Sequence, residues 1–175
     1  IAPLARAFFF FNSSKMSNEE KAKRKKLFGK FSDGFQSLKP HFVEAAGRTL
    51  VEIPVTTFPL VKTPIHASYL VYLATFSRMA AITYWRAALA TCKLTGTQPS
   101  LLLHPLDFLC GDDVSELKFF PGMGMPFEKK LALVSEILSI YAENFEVVSM
   151  DVHAASVRLS GDTKRVKATV IGQTS

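Results

Sequence analysis

The stretch Ser100-Leu101-Leu102-Leu103-His104-Pro105 places a leucine run directly before a histidine and a proline. A short apolar run bounded by turn residues reads as a strand covered on both faces, as in a parallel sheet or a barrel wall. Pro105 ends it, because proline has no N–H to give to a ladder. His104 then stands at the strand's C-terminal end, the edge where parallel α/β folds assemble their sites. A histidine there can give or take a proton near neutral pH. The plainer alternative is a histidine that satisfies backbone groups at a strand end, and the loop that follows, with Asp107, favours function over it. Asp107 either orients the imidazole or caps the next turn.

Working outward, Leu50-Val51-Glu52-Ile53-Pro54-Val55-Thr56 is β-branched and compact, a strand with Pro54 at its end or at a bulge, and Thr57 to His66 is the loop above it. Residues 68–93 are helical in two pieces divided near Ser77, a serine able to cap the second. Met79, Ile82, Trp85, Leu89 and Cys92 recur at helical spacing and are expected on the core face. Thr95 to Pro99 stops that helix. Downstream, Phe119 to Pro126 mixes glycine and proline with apolar side chains and reads as an ordered loop. Residues 127–144 are helical, with Leu131, Val134, Leu138, Tyr141 and Phe145 on one stripe, and residues 146–150 read as a last strand. This order of strands and crossover helices implies a parallel-stranded α/β fold with right-handed connections.

A hydrophobic content of 48% with 21% charged residues is that of a globular domain and argues against disorder. The 175 residues fit one domain but are short for a complete (β/α) barrel, which takes about 200 or more. The chain opens at Ile1 without methionine and is read as entered partway through. The aromatic run from Phe8 to Phe11 is too short for an export signal. Arg78 and Arg86 interrupt the most apolar region, 67–92, so no membrane span is expected. Cys92 and Cys110 have neither disulfide nor zinc spacing and read as free thiols of a reducing, cytoplasmic compartment. The net charge of +6 gathers in Lys15, Lys21, Lys23, Arg24, Lys25, Lys26 and Lys30. Ser17-Asn18-Glu19-Glu20 has the form of a capping box at the head of that segment. A solvated basic helix is the commoner meaning of such a cluster, which leaves nucleic acid or an anionic polymer as the lesser alternative.

Around His104, Glu52 and His66 belong to the preceding strand and loop on the same side and are candidate substrate-binding residues with Asp107. Glu52 is costly to bury alone, so it lies at a wet cleft or pairs with a cation such as Arg48 or Lys62. Asp112-Asp113 beside Gly111 reads as a solvated turn or a cap rather than a metal pair. His41 and His153 have no evident companions.

The segments Leu50 to Thr56, Ser100 to Phe108 and Phe119 to Met123, in that order, resemble the polysaccharide deacetylase family of chitin and nodulation-factor deacetylases. The resemblance spans most of residues 1–155. It implies the C-terminal part of a distorted (β/α) barrel over 1–158, with a basic helical excursion at 15–40 and a loosely held tail at 159–175. It implies hydrolysis of carbon–nitrogen amide bonds in a carbohydrate-like or small amide substrate, with His104 as the general acid. It further implies a divalent metal, zinc by preference, held in the N-terminal half of the barrel. The paired aspartates and spaced histidines that hold it in the family have no counterpart in this sequence. The chain alone is therefore expected to be inactive without that half. A non-catalytic scaffold, or a basic module binding an anionic polymer, is the alternative.

Overall fold

A computed structural model of the chain describes residues 37–160 and 163–167. The basic cluster from Lys15 to Lys30 and the capping box at Ser17 lie outside these residues. The described part is mixed α/β, with four helices and one small sheet.

Strands β1 (His41–Ala45) and β2 (Arg48–Glu52) form an antiparallel hairpin with Ala45 opposite Arg48. Ala46 and Gly47 turn it, with φ of 50° and 72°. Positive φ at both central residues matches the right-handed twist of the flanking strands. Alanine is an unusual occupant of that position, so the hairpin carries no strong signal in the sequence. A third strand, β3 (Arg165–Lys167), lies parallel to β1 and gives the sheet order β2-β1-β3. It falls in the segment expected to be a loose tail, and is fixed by the Phe42 N–H bonding the Lys164 carbonyl at 2.8 Å and by the Arg165 guanidinium over the Phe42 ring.

Helices α1 (Ala67–Phe76) and α2 (Arg78–Thr95) are divided at Ser77, as their sequence predicts. The Ser77 hydroxyl accepts from the Ala80 N–H, satisfying one orphan donor of the second helix. Gly96, in the left-handed region with φ of 62°, closes α2. Helix α3 (Phe127–Asn144) follows the turn-rich loop, and α4 (Met150–Leu159) packs against β2. Helices α1, α2 and α3 share one core that includes Leu70, Val71, Trp85, Leu89, Leu133, Val134, Ile137 and Ile140. At its centre the Trp85 indole N–H donates to the Ile137 carbonyl at 3.0 Å.

Several expectations are corrected. Among the described residues no parallel barrel wall is formed, and Ser100 to Leu103 is in no strand. Hydroxyl groups take the place of a ladder there. The Ser100 N–H donates to Thr56 Oγ1 at 2.8 Å, the Thr56 N–H to Ser100 Oγ at 3.2 Å, and Ser100 Oγ to the Pro54 carbonyl at 3.0 Å. The segments expected as neighbouring strands are thus stitched together at one point. Of the expected strand at 50–56, only the part up to Glu52 is paired in the sheet. Residues 146–150 do not pair either. Ser149 caps α4 in an extended conformation, and Asp151 in the first turn favours the helix.

The buried faces also differ in detail. Met79 is 80% exposed, and the core stripe of α2 runs through Ala81, Trp85, Ala88, Leu89 and Cys92. On α3 Leu131 and Leu138 face outward, while Lys130, Leu133, Val134, Ile137, Ile140 and Tyr141 face inward. The helix carries two adjacent apolar stripes, and the spacing of its residues alone does not choose between them. The loop at 119–126 is ordered as expected. Gly122 has φ of 86°, and a Cβ there would stand 2.7 Å from Val71 Cγ1, so only glycine lets the loop lie on α1.

Because Trp85 is fully buried, Trp85→Ala should lower the free energy of unfolding by about 4 kcal/mol through the cavity it leaves. Trp85→Phe should cost about 1 kcal/mol, chiefly the indole hydrogen bond. Urea denaturation followed by circular dichroism measures both.

Candidate active site

Pro105 to Asp107 form one 3-10 turn immediately after His104. Proline suits the first position of such a turn, since its missing N–H would have no partner there. Asp107 closes the turn on itself: the His104 N–H donates to Asp107 Oδ2 at 2.7 Å, and the Asp107 N–H donates to the His104 carbonyl at 2.9 Å. The Asp107 side chain is only 2% exposed, whereas that of His104 is 44% exposed. The turn therefore buries the carboxylate and leaves the imidazole at the surface.

The first turn of α1 meets this loop. The Ala67 N–H donates to the Leu102 carbonyl at 3.1 Å. Ser68 Oγ donates to Asp107 Oδ1 at 2.5 Å and lies 3.0 Å from His104 Nδ1. A hydroxyl has one proton, and here the carboxylate takes it. The contact with the ring then requires His104 Nδ1 to be the donor, so a neutral His104 has its lone pair on Nε2. That nitrogen has no hydrogen-bond partner among the described residues. Asp107 Oδ2 stands 3.8 Å from Nδ1, too far for a hydrogen bond. Asp107 thus does both things its position allowed, capping the turn directly and orienting the imidazole through Ser68.

His66 is the N-cap of α1. Its Nδ1 accepts from the Tyr69 N–H at 3.3 Å, and its ring lies edge-on to that of His104 with centroids 5.9 Å apart. Burial holds the His66 pKa below its ordinary value, the neighbouring His104 adds to the effect, and Asp107 opposes it. The loop carrying His66 is braced from α2, where the Tyr84 hydroxyl donates to the Pro64 carbonyl at 2.8 Å and lies 2.6 Å from Thr63 Oγ1. Burial pushes that phenol up to about 12, so it stays neutral.

Beneath the turn lies Lys130 of α3, 1% exposed. Its ammonium donates to the carbonyls of Leu106 and Leu109 and touches Met123 Sδ at 3.9 Å. Burial lowers its pKa, against the fields of Asp107, Cys110 and Asp113. The lysine ties the loop to α3.

Of the residues singled out in the sequence, His104, His66 and Asp107 come together, and Glu52 does not join them. Glu52 ends β2, 57% exposed, and its carboxylate is 3.6 Å from Nε2 of His41, its cross-strand neighbour, rather than paired with Arg48. Asp112 is a solvated turn residue 3.6 Å from the Lys118 ammonium, and Asp113 caps the Cys110 N–H at 2.7 Å. His153 bonds Gln98 at 2.9 Å. Cys92 and Cys110 are buried free thiols, and burial pushes Cys92 up to about 11, which makes it inert. Sequence reasoning missed Ser68 and Lys130. Ser68 sits two residues after His66 in the first turn of a helix, a legible spacing, whereas Lys130 becomes visible only once the inner stripe of α3 is known.

Comparison of the chain with family models, with curated proteins and with solved structures finds no match. Among the described residues no helix is long and apolar enough to cross a membrane. Nor is any group of three or more His, Cys, Asp or Glu side chains placed to hold a metal ion. Both oxygens of Asp107 are already engaged, so these residues do not by themselves fit the zinc that the deacetylase resemblance implies.

Two outcomes follow from this packing. Lys130→Met strands the two loop carbonyls and removes the cation near Asp107, and should cost about 3–5 kcal/mol in urea denaturation. His66 binds a proton more readily unfolded than folded, so its contribution is complete above its ordinary value of 6.5 and is lost as the pH falls through the lower folded value. In His66→Asn, whose amide oxygen can keep the cap, stability measured between pH 7.5 and 4.5 should fall less steeply than in the unsubstituted chain.

Proposed function

We propose that this chain carries the acid–base part of a hydrolase that cleaves carbon–nitrogen amide bonds in carbohydrate-like substrates, with His104 as the general acid. What supports it is the state of one side chain: an imidazole tied at Nδ1 by Ser68, backed by a buried carboxylate, with Nε2 open. A ring held in this way is fixed in tautomer and direction, and its free nitrogen is the one that meets a substrate. Protonated His104 gives the Nε2 proton to the amide nitrogen as its bond to the acyl carbon breaks, so that the product leaves as a neutral amine. The ring becomes neutral and regains its proton from solvent before the next turnover. Asp107 and Ser68 steady the charged ring without touching the substrate. The groups that activate water belong, in the deacetylase resemblance, to the N-terminal half of the barrel.

The resemblance of Ser100 to Phe108 and Phe119 to Met123 to the polysaccharide deacetylases supplies the substrate class. The structure adds that the first segment's histidine is exposed while its aspartate is buried.

The test is acetate release from an N-acetylated oligosaccharide by the natural polypeptide that contains these residues. His104→Gln keeps a side chain of similar reach but cannot deliver a proton. It should lower kcat by about 10²–10⁴-fold with little change in KM. Unchanged turnover in that variant, or no acetate release by the unsubstituted protein, would overturn the proposal.

A further inference from the structure

The two imidazoles of the site are held in opposite hydrogen-bonding states. His66 Nδ1 accepts the Tyr69 N–H, so the single proton of a neutral His66 is on Nε2. His104 Nδ1 donates to Ser68, whose own hydroxyl donates to Asp107, so its Nε2 carries a lone pair when neutral and a transferable proton when charged. In each ring Nδ1 is occupied by the protein, and Nε2 is the nitrogen left to a ligand. The rings lie 5.9 Å apart, one edge-on to the other at 79°. With the ring centroids 5.9 Å apart, hydrogen bonds of about 3 Å are of the scale that one amide would need to reach both rings.

We infer that His66 is an electrophilic donor of this site, giving its Nε2–H to the carbonyl oxygen of the amide whose nitrogen His104 protonates. The inference rests on the acid–base role proposed for His104 and specifies what the site recognises: a secondary amide, read by a fixed donor for its oxygen and a proton source for its nitrogen. The donor strengthens its hold as negative charge gathers on that oxygen during attack, where a preorganised hydrogen bond counts most. The charged groups facing His66 divide the labour. A proton on His66 Nδ1 would break the cap of α1, and the neighbouring His104 also disfavours charge there. Burial keeps His66 on the neutral side.

Asparagine and glutamine separate the two nitrogens of His66. His66→Asn places an amide oxygen near the Nδ1 position and keeps the cap, but it has no donor at Nε2. His66→Gln reaches the Nε2 position with an N–H and gives up the cap. The full 175-residue chain is titrated with N-acetylated chitotriose, with its fully de-N-acetylated form and with maltotriose, which has no amide, while the imidazole ¹⁵N signals are followed by NMR. The unsubstituted chain should bind the acetylated trisaccharide in preference to the other two and shift both Nε2 signals, with His66 in the Nε2–H form. His66→Asn should weaken that binding about tenfold, the worth of one hydrogen bond, at an unchanged Tm at pH 7.5. His66→Gln should lower Tm and retain binding within about threefold. No preference for the acetylated sugar, an Nδ1–H tautomer at His66, or undiminished binding by a folded His66→Asn would overturn the inference. Failure of the His104 role reads differently: turnover would persist in His104→Gln while the acetyl preference still vanished in His66→Asn.

Discussion

A carboxylate removed from water is tolerable only where its oxygens are met by donors, and the Asp107 side chain is 2% exposed. Its partners come from two directions. The His104 N–H arrives through the backbone of the same turn, and the Ser68 hydroxyl arrives from the first turn of α1. The carboxylate therefore sets the distance between α1 and the loop after Leu103, and this distance brings His66 and His104 together. Replacing either donor would leave a buried charge short of a partner, a larger loss than any single exposed contact around it. The anion is buried, while the imidazole it steadies remains accessible.

Lys130 extends the same constraint to α3. A buried ammonium has to find acceptors, and it finds the Leu106 and Leu109 carbonyls. This fixes which of the two apolar stripes of α3 faces the core. With Lys130 inward, Leu133, Val134, Ile137 and Tyr141 follow on the same face, and Leu131 and Leu138 turn outward. Trp85 meets Ile137 on that face, so the orientation of the core helix and the placing of the loop are one solution. A polar residue at the edge of an apolar stripe has here decided the rotation of a helix.

What could be read in advance follows from whether the cause was local. Ser77 divides two helices through its own hydroxyl, Gly96 ends one through its own backbone, and the glycines and prolines of 119–126 exclude regular structure wherever they stand. His104 and Asp107 were legible for the same reason, being three residues apart across a proline turn. Less legible was anything set by a distant partner. Ser100 to Leu103 has a strand's composition, but Thr56 and Pro54 engage Ser100 through hydroxyl bonds and no ladder forms among the described residues. Residues 146–150 have a strand's side chains, yet Ser149 and Asp151 open a helix instead. The hairpin turns on Ala46, a residue that rarely takes positive φ, and its third strand comes from more than a hundred positions downstream.

Ser68, His104 and Asp107 are the three residue types of a serine-hydrolase triad, and their wiring argues that the serine is no nucleophile. In a triad the imidazole stands between the other two, with the carboxylate on Nδ1 and the serine on Nε2, so that removal of the serine proton leaves charge on the ring. Here the serine is the middle member. It donates a hydrogen bond to Asp107 and accepts one from His104 Nδ1, which places it on the nitrogen turned toward the protein. No substrate carbonyl lying against Nε2 could be attacked by an oxygen on the opposite side of the same ring. The arrangement converts a serine into a connector that transmits the orientation of a buried carboxylate to an exposed imidazole. It leaves Nε2 of His104 without a hydrogen-bond partner among the described residues.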